Sequence, residues 1–208
     1  RTGVKELKLL NLLGQIKNNT GKAGNIIALN PYGNTFGQLE AGVSPLLLPG
    51  FKNVNHETAR QKLIKLWNGP LPEQEGAPNI HEQLQQGYIT GALVLANHEV
   101  DLDSMVKENT FTVIVTSNLN QKLSSANIIL PAATFAETSG TIVNSEGRVQ
   151  RLRQALKPVG GLENAEIISM LSTALGYQMK YKNHKEIRIE FEKILYSDHE
   201  FFSSVYAI

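Results

Sequence analysis

The stretch LPAATFAETSGTIVNSEGRVQR, residues 130–151, holds the densest set of side chains able to do chemistry in this chain. It opens at the end of an apolar run, Asn127-Ile128-Ile129-Leu130, and stops at Pro131. A lone acid, Glu137, then stands among small residues, followed by a Ser-Gly-Thr turn and an Asn-Ser-Glu-Gly-Arg run. In open α/β sheets ligands gather outside the carboxyl ends of the strands. A polar, glycine-containing loop in that place is either a cofactor loop or a structural loop that satisfies its own polar groups. Arg148 discriminates between the two. A structural role calls for at least partial burial against Glu137, Glu146 or backbone carbonyls; a ligand role leaves it exposed in an open cleft.

Other candidate chemistry is thinner. Asp101 and Asp103 follow a second apolar run and suit either a metal-binding or acid–base pair, or acids stabilised at a helix N-terminus. Arg148, Arg151, Arg153 and Lys157 suit either a phosphate or a solvated strand face. His56, His81, His98, His184 and His199 are scattered, with no two at metal-ligand spacing. His98-Glu99 stands out only because it directly follows ALVLAN. There is no Walker-type phosphate loop and no Gly-x-Gly-x-x-Gly after a strand.

The elements that must position these groups follow from periodicity. GALVLAN, FTVIVTS and NIIL are continuous apolar, β-branched runs, which predicts adjacent parallel strands covered on both faces. HEVDLDSMVKENT and NQKLSSA between them are expected as short helices. RVQRLRQAL predicts an extended segment. HETARQKLIKLWNG is an amphipathic helix with Gly69 as its expected C-terminal cap. IHEQLQQG is a short helix closed by Gly87, and a further short helix is expected around Gly37–Ala41. NAEIISMLSTALG and HKEIRIEFEKIL predict two C-terminal helices. Leu7, Leu9, Leu10, Leu12, Leu13 and Ile16 predict an N-terminal helix, and NIIAL at 25–29 an extended run. The fold class is α/β, a doubly wound, mostly parallel sheet with helices on both faces. The expected layout is one α/β domain over 1–208: a helical, loop-rich part (1–90), the strand core with the polar loop (91–157), and C-terminal helices (158–208).

Composition narrows the function classes. The 208 residues carry a formal net charge of +1, so nothing points to nucleic acid. With no cysteine, the chain holds no disulfide, thiolate zinc, cysteine-bound iron–sulfur cluster or cysteine nucleophile. No apolar run reaches the roughly 18–20 residues that cross a bilayer. The opening RTGVKELKLLNLL lacks both Met and a signal-peptide profile, and the chain is expected to be a piece of a larger subunit.

At residues 127–157 the sequence resembles the molybdopterin oxidoreductase superfamily. Its pattern is matched without a gap at Leu130, Pro131, Ala132, Ala133, Phe135, Ala136, Glu137, Gly140, Thr141, Asn144, Glu146, Gly147, Arg148, Val149 and Gln150. GKAG, GVSPLLLPG, WNGPLP and LGYQMKYKNHKEI are similar to family features in the same order. The resemblance implies cofactor-side roles for Asn34, Glu137, Gly140, Thr141, Asn144, Glu146, Gly147 and Arg148, should a pterin guanine dinucleotide be retained. No catalytic residue and no metal ligand is implied here.

Departures from the pattern separate the branches. Where formate dehydrogenases carry Gly-Glu-Asn-Pro, this chain has Ala96-Asn97-His98-Glu99. Thr116-Ser117 replaces Gln-Asp, and NPYGN keeps only Asn34 of an Arg-Gly-Gln-Asn-Asn run. Losing a glycine adds a Cβ at the ligand, and losing an aspartate removes an acceptor. The resemblance therefore implies first the large iron–sulfur subunit of NADH-quinone oxidoreductase (respiratory complex I), whose branch keeps the fold without molybdenum cofactor. A formate dehydrogenase catalytic subunit, holding molybdopterin guanine dinucleotide, is the alternative. A non-catalytic scaffold of the same fold is a third. On the first reading no cofactor sits in this segment and iron–sulfur clusters lie elsewhere in the longer chain. The implied partners are other domains of the subunit and other subunits of a respiratory complex, at the cytoplasmic side of the inner membrane without direct insertion.

Overall fold

The computed structural model describes residues 32–71, 80–96, 98–179, 181 and 183–196. The expected N-terminal helix and the run at 25–29 lie outside them. The first described element is helix α1 (Thr35–Glu40), followed by a small antiparallel pair, β1 (Leu47–Leu48) and β2 (Lys52–Asn53). Helices α2 (Glu57–Trp67) and α3 (Ile80–Gln86) lead to the sheet strands β3 (Gly91–Ala96), β4 (Phe111–Thr116) and β5 (Ile128–Pro131). A hairpin of β6 (Gly140–Val143) and β7 (Val149–Leu152) precedes helices α4 (Asn164–Ala174) and α5 (His184–Tyr196).

The three apolar runs form one parallel sheet in the order β3-β4-β5. Leu93, Val113 and Ile128 share a row, as do Val94, Ile114 and Ile129. Since adjacent side chains on a strand point to opposite faces, Ala92, Val94, Ala96 and Ile114 lie on one face. They meet Leu84, Leu102, Val106 and Leu123 there. Leu102 and Ile114 are fully buried and mark the centre of the core. On the opposite face Val113 and Val115 of the central strand are buried, but Leu93, Leu95 and Ile128 of the flanking strands remain exposed. Cover thus extends over β4 from Thr112 to Thr116, leaves Phe111 at its start exposed, and is partial at the neighbouring strands.

The connection from β3 to β4 departs from expectation. Its predicted helix over 98–110 is a series of turns. Leu102 N–H and Asp103 N–H both donate to the Lys122 carbonyl, at 3.0 and 3.2 Å, so neither enters a helical ladder. Asp101 Oδ1 accepts from Ser104 N–H at 3.2 Å. Asp103 reaches forward to Ser124 Oγ and Ser125 N–H, both at 2.7 Å. Side-chain bonds of this kind offer the backbone an alternative to helix. The expected helix at NQKLSSA is likewise one 3₁₀ turn, Gln121–Leu123, capped by Asn120 Oδ1 on Lys122 N–H at 2.8 Å.

Three smaller differences are local. Helix α2 ends on Asn68 in the left-handed region (φ 51°), one residue before the expected Gly69, because Asn also tolerates that conformation. Gly87 does close α3, at φ 75°. The Ser-Gly-Thr segment read as a turn is instead the start of β6, whose residues Gly140, Thr141, Ile142 and Val143 pair with Leu152, Arg151, Gln150 and Val149.

Candidate functional site

The loop after β5 is organised around Glu137, which is 6% exposed. Its Oε2 accepts from Thr134 N–H at 2.8 Å and from Thr134 Oγ1 at 2.9 Å, and Oε1 accepts from Val159 N–H at 3.1 Å. The Thr134 N–H, then the Thr134 hydroxyl, hold the carboxyl below its ordinary pKa; burial opposes them, and the Val159 N–H adds to the lowering. The backbone of the same stretch is tied to the chain leaving β7. Ala155 N–H and Leu156 N–H donate to the Ala136 carbonyl at 2.8 and 2.9 Å. Gln154 Nε2 donates to the Glu137 carbonyl at 3.2 Å.

Asn164, which sequence reasoning did not single out, closes the other side. Its Oδ1 accepts from Ala133 N–H at 2.7 Å and its Nδ2 donates to the Ala133 carbonyl at 3.0 Å. An Asn at a helix start reads as a cap; nothing in its spacing reveals a partner 31 residues back.

The remaining predicted site residues divide between the hairpin and a cleft. Asn34 Oδ1 accepts from Val143 N–H at 2.9 Å. Asn144 Oδ1 accepts from Glu146 N–H at 3.0 Å and Arg148 N–H at 2.9 Å. Gly147 completes that turn at φ 79°, a conformation natural to glycine. Arg148 Nε lies 3.3 Å from Glu146 Oε2, with side chains 74% and 53% exposed. The partial burial that a structural Arg148 requires is absent: the guanidinium projects from the hairpin tip, where its ion-pair partner is Glu146 and not Glu137. The structural bonds fall to Asn34, Glu137, Asn144 and Asn164 instead.

Several of the residues implied for a pterin guanine dinucleotide bond to their own chain. The side-chain oxygens of Asn34, Glu137 and Asn144 accept backbone N–H groups. After β4, Thr116 is 4% exposed, and its hydroxyl is folded onto Asn118, accepting from the N–H at 3.1 Å and donating to the carbonyl at 3.3 Å. After β3, the His98 ring stacks on Tyr32 with centroids 5.1 Å apart. Among the described residues no group of three or more His, Asp or Glu side chains could hold a metal ion. His56 caps α2, its Nδ1 accepting from Ala59 N–H at 3.3 Å. Asp101 and Asp103 are loop pins, their pKa values lowered chiefly by the Ser104 N–H and the Ser124 hydroxyl respectively.

A cleft of about 1130 Å³ opens between α1, the β6–β7 hairpin, α4 and α5. Asn34, Gly140 and Thr141 line it, as do Arg151 and Arg153; Glu137, Asn144, Glu146, Gly147 and Arg148 do not. At its edge Glu190 Oε1 accepts from Trp67 Nε1 at 3.1 Å and from the Tyr181 hydroxyl at 2.5 Å. Burial first, and the Glu190 carboxylate second, push the Tyr181 phenol up to about 12. A smaller cavity of about 250 Å³ lies between α2 and α5, lined by Leu63, Leu66, Ile194 and Leu195.

Comparison with known proteins places this architecture. A family model described as Molybdopterin oxidoreductase matches residues 5–174. The chain is 30% identical over 190 residues to the probable oxidoreductase YjgC of Bacillus subtilis (strain 168), covering 86% of this chain and 19% of that protein. It is 31% identical over 194 residues to the alpha subunit of the F420-dependent formate dehydrogenase of Methanocaldococcus jannaschii, covering 88% and 28%. It is 28% identical over 172 residues to an NADH-quinone oxidoreductase subunit of Streptomyces coelicolor, covering 76% and 20%. The chain thus spans 19% to 28% of the length of these relatives.

Proposed function

Since the chain belongs to the molybdopterin oxidoreductase family, we propose that it is a structural α/β segment of the large iron–sulfur subunit of an NADH-quinone oxidoreductase. Its part in electron transfer is to support clusters bound elsewhere in that subunit, alongside other subunits of a respiratory complex on the cytoplasmic face of the membrane. Relatives of this family are oxidoreductases, and the parallel α/β fold of this chain is consistent with the family. The observation that carries the reading is the Glu137 carboxylate, buried and bonded through both oxygens to its own loop. A loop closed in this way gives the domain rigidity without presenting that acid to a ligand. The segment brings no cysteine, and on this reading catalyses nothing by itself.

A formate dehydrogenase catalytic subunit is the second reading. It is favoured by the formate dehydrogenase names among relatives of 28% to 31% identity and by Gly140 and Thr141 facing an open cleft. Elemental analysis of the natural protein for molybdenum and tungsten, with iron as internal reference, separates the two. The first reading expects iron without either metal; stoichiometric molybdenum or tungsten establishes the second. Calorimetric titration of this chain with GDP adds an independent readout. Micromolar affinity, about −8 kcal/mol, would shift the assignment to the pterin-bearing branch.

A further inference from the structure

The cleft between the β6–β7 hairpin and α5 carries a second surface, whose assignment rests on the first reading above, under which Gly140 and Thr141 hold no nucleotide there. Its walls are mainly aliphatic, with Val43, Leu152, Ile168 and Ile187 among them. Four permanent cations stand along it: Arg151 and Arg153 on the hairpin side, Lys185 and Arg188 on α5. Two carboxylates line it as well. Glu40 is 3% exposed, and Glu190 is already engaged by Trp67 and Tyr181. Glu192 beside Arg188 offsets a further charge, so four cations meet three carboxylates and the excess is one positive charge. Among the described residues no hydrogen bond or ion pair holds the side chains of Arg151, Arg153 or Lys185. Arg188 Nε is 3.4 Å from Glu192 Oε1, and among the described residues this buried nitrogen has no hydrogen-bond partner.

A cavity of about 1130 Å³ exceeds the roughly 300–1,000 Å³ of ordinary small-molecule pockets. Its size suits a length of polypeptide. Aliphatic walls bury the apolar face of an amphipathic segment, and cations on both sides meet carboxylates placed along its polar edge. We propose that this cleft is the docking groove for an acidic amphipathic helix of a partner polypeptide, with Arg151 and Arg153 on one side and Lys185 and Arg188 on the other as its charge-reading residues.

The test is fluorescence anisotropy with a labelled 16-residue peptide carrying Leu and Glu at helical spacing, titrated with the purified protein. A matched peptide with Gln in place of every Glu, and GDP as competitor, complete the set. The expected result is saturable binding of the Glu peptide that weakens with salt, and at least tenfold weaker binding of the Gln peptide. The double variant Arg151→Glu/Arg153→Glu loses at least tenfold for the Glu peptide. Both positions are exposed on the hairpin, and a thermal melt verifies that the variant is folded. Arg148→Glu, on the same hairpin but outside the cleft, stays within twofold. Failure of the Glu peptide to bind overturns the proposal, as does equal binding of the two peptides. So does an equal loss with Arg148→Glu, which marks general charge attraction. Displacement of the peptide by micromolar GDP reassigns the cleft to a nucleotide and also overturns it.

Discussion

The Asn34 side-chain oxygen accepts the backbone N–H of Val143 at 2.9 Å across a separation of 109 residues. Val143 is 7% exposed, so this bond satisfies a donor at the end of β6 that water cannot easily reach. The neighbouring Gly37 makes the approach feasible. A Cβ there would collide with Asn34 Oδ1 and stand 3.3 Å from Val143 Cγ2.

Asn34→Ala leaves that N–H unpaired and is expected to cost about 1–3 kcal/mol. Gly37→Ala displaces the Asn34 side chain and should reproduce most of the loss. In the double variant the two losses should not add, because both remove one bond. Denaturant melts of the three variants measure this. Full additivity would show that Gly37 and Asn34 act separately.

Glu137 makes the domain sensitive to acid. Its pKa is lowered in the folded state by the Thr134 and Val159 groups. The folded form therefore favours the ionised carboxylate, and the stability gained is complete above the ordinary value of 4.5. It is lost as pH falls through the lower folded-state value. Glu137→Gln should melt at lower temperature than the parent at neutral pH, with the gap narrowing below pH 4.5. A gap that stays constant down to about pH 3 argues that the charge contributes nothing.

The hairpin tip should respond in the opposite manner from the loop. Arg148 is exposed and, among the described residues, forms an ion pair only with exposed Glu146, so Arg148→Ala should change stability by less than about 0.5 kcal/mol. Gly147→Ala forces a Cβ into φ 79° and should cost about 1 kcal/mol or more. Gly140→Val should be tolerated: Gly140 begins a strand, its φ is not in the left-handed region, and among the described residues nothing lies within 4 Å of the added Cβ. Urea midpoints rank the three. A loss at Gly140 as large as that at Gly147 would contradict the strand geometry.

Tyr181 should ionise late. Burial and Glu190 raise its phenol to about 12. The neutral phenol is thus favoured by folding, and its contribution persists below pH 10.0 and disappears as pH rises through about 12. Ultraviolet titration of the parent against Tyr181→Phe should remove a late-titrating component. A component lost near pH 10 instead would show that the phenol is solvated.

Local pattern determined much of this protein. The β-branched runs at 91–96, 111–116 and 128–131 dictate strands, and their continuous apolarity dictates a parallel sheet; all three pair as expected, although cover over the flanking strands is only partial. The periodicity of Glu57–Trp67, Asn164–Ala174 and His184–Tyr196 dictates helices in the same way. The residues from Leu130 to Gln150 carried the family by their unbroken order. Tertiary structure decided which polar groups of that loop face solvent. Glu137 turns inward because the N–H groups of Thr134 and Val159 converge on it, and Val159 is distant along the chain. Arg148 points outward because Asn144 and Gly147 turn the hairpin away from the loop. The helix expected between β3 and β4 failed for the same kind of reason. Leu102 and Asp103 found the Lys122 carbonyl, and Asp103 found Ser124 and Ser125. A sequence window sees helical propensity within a few residues; it cannot see a carbonyl some twenty residues away that competes for the same N–H groups.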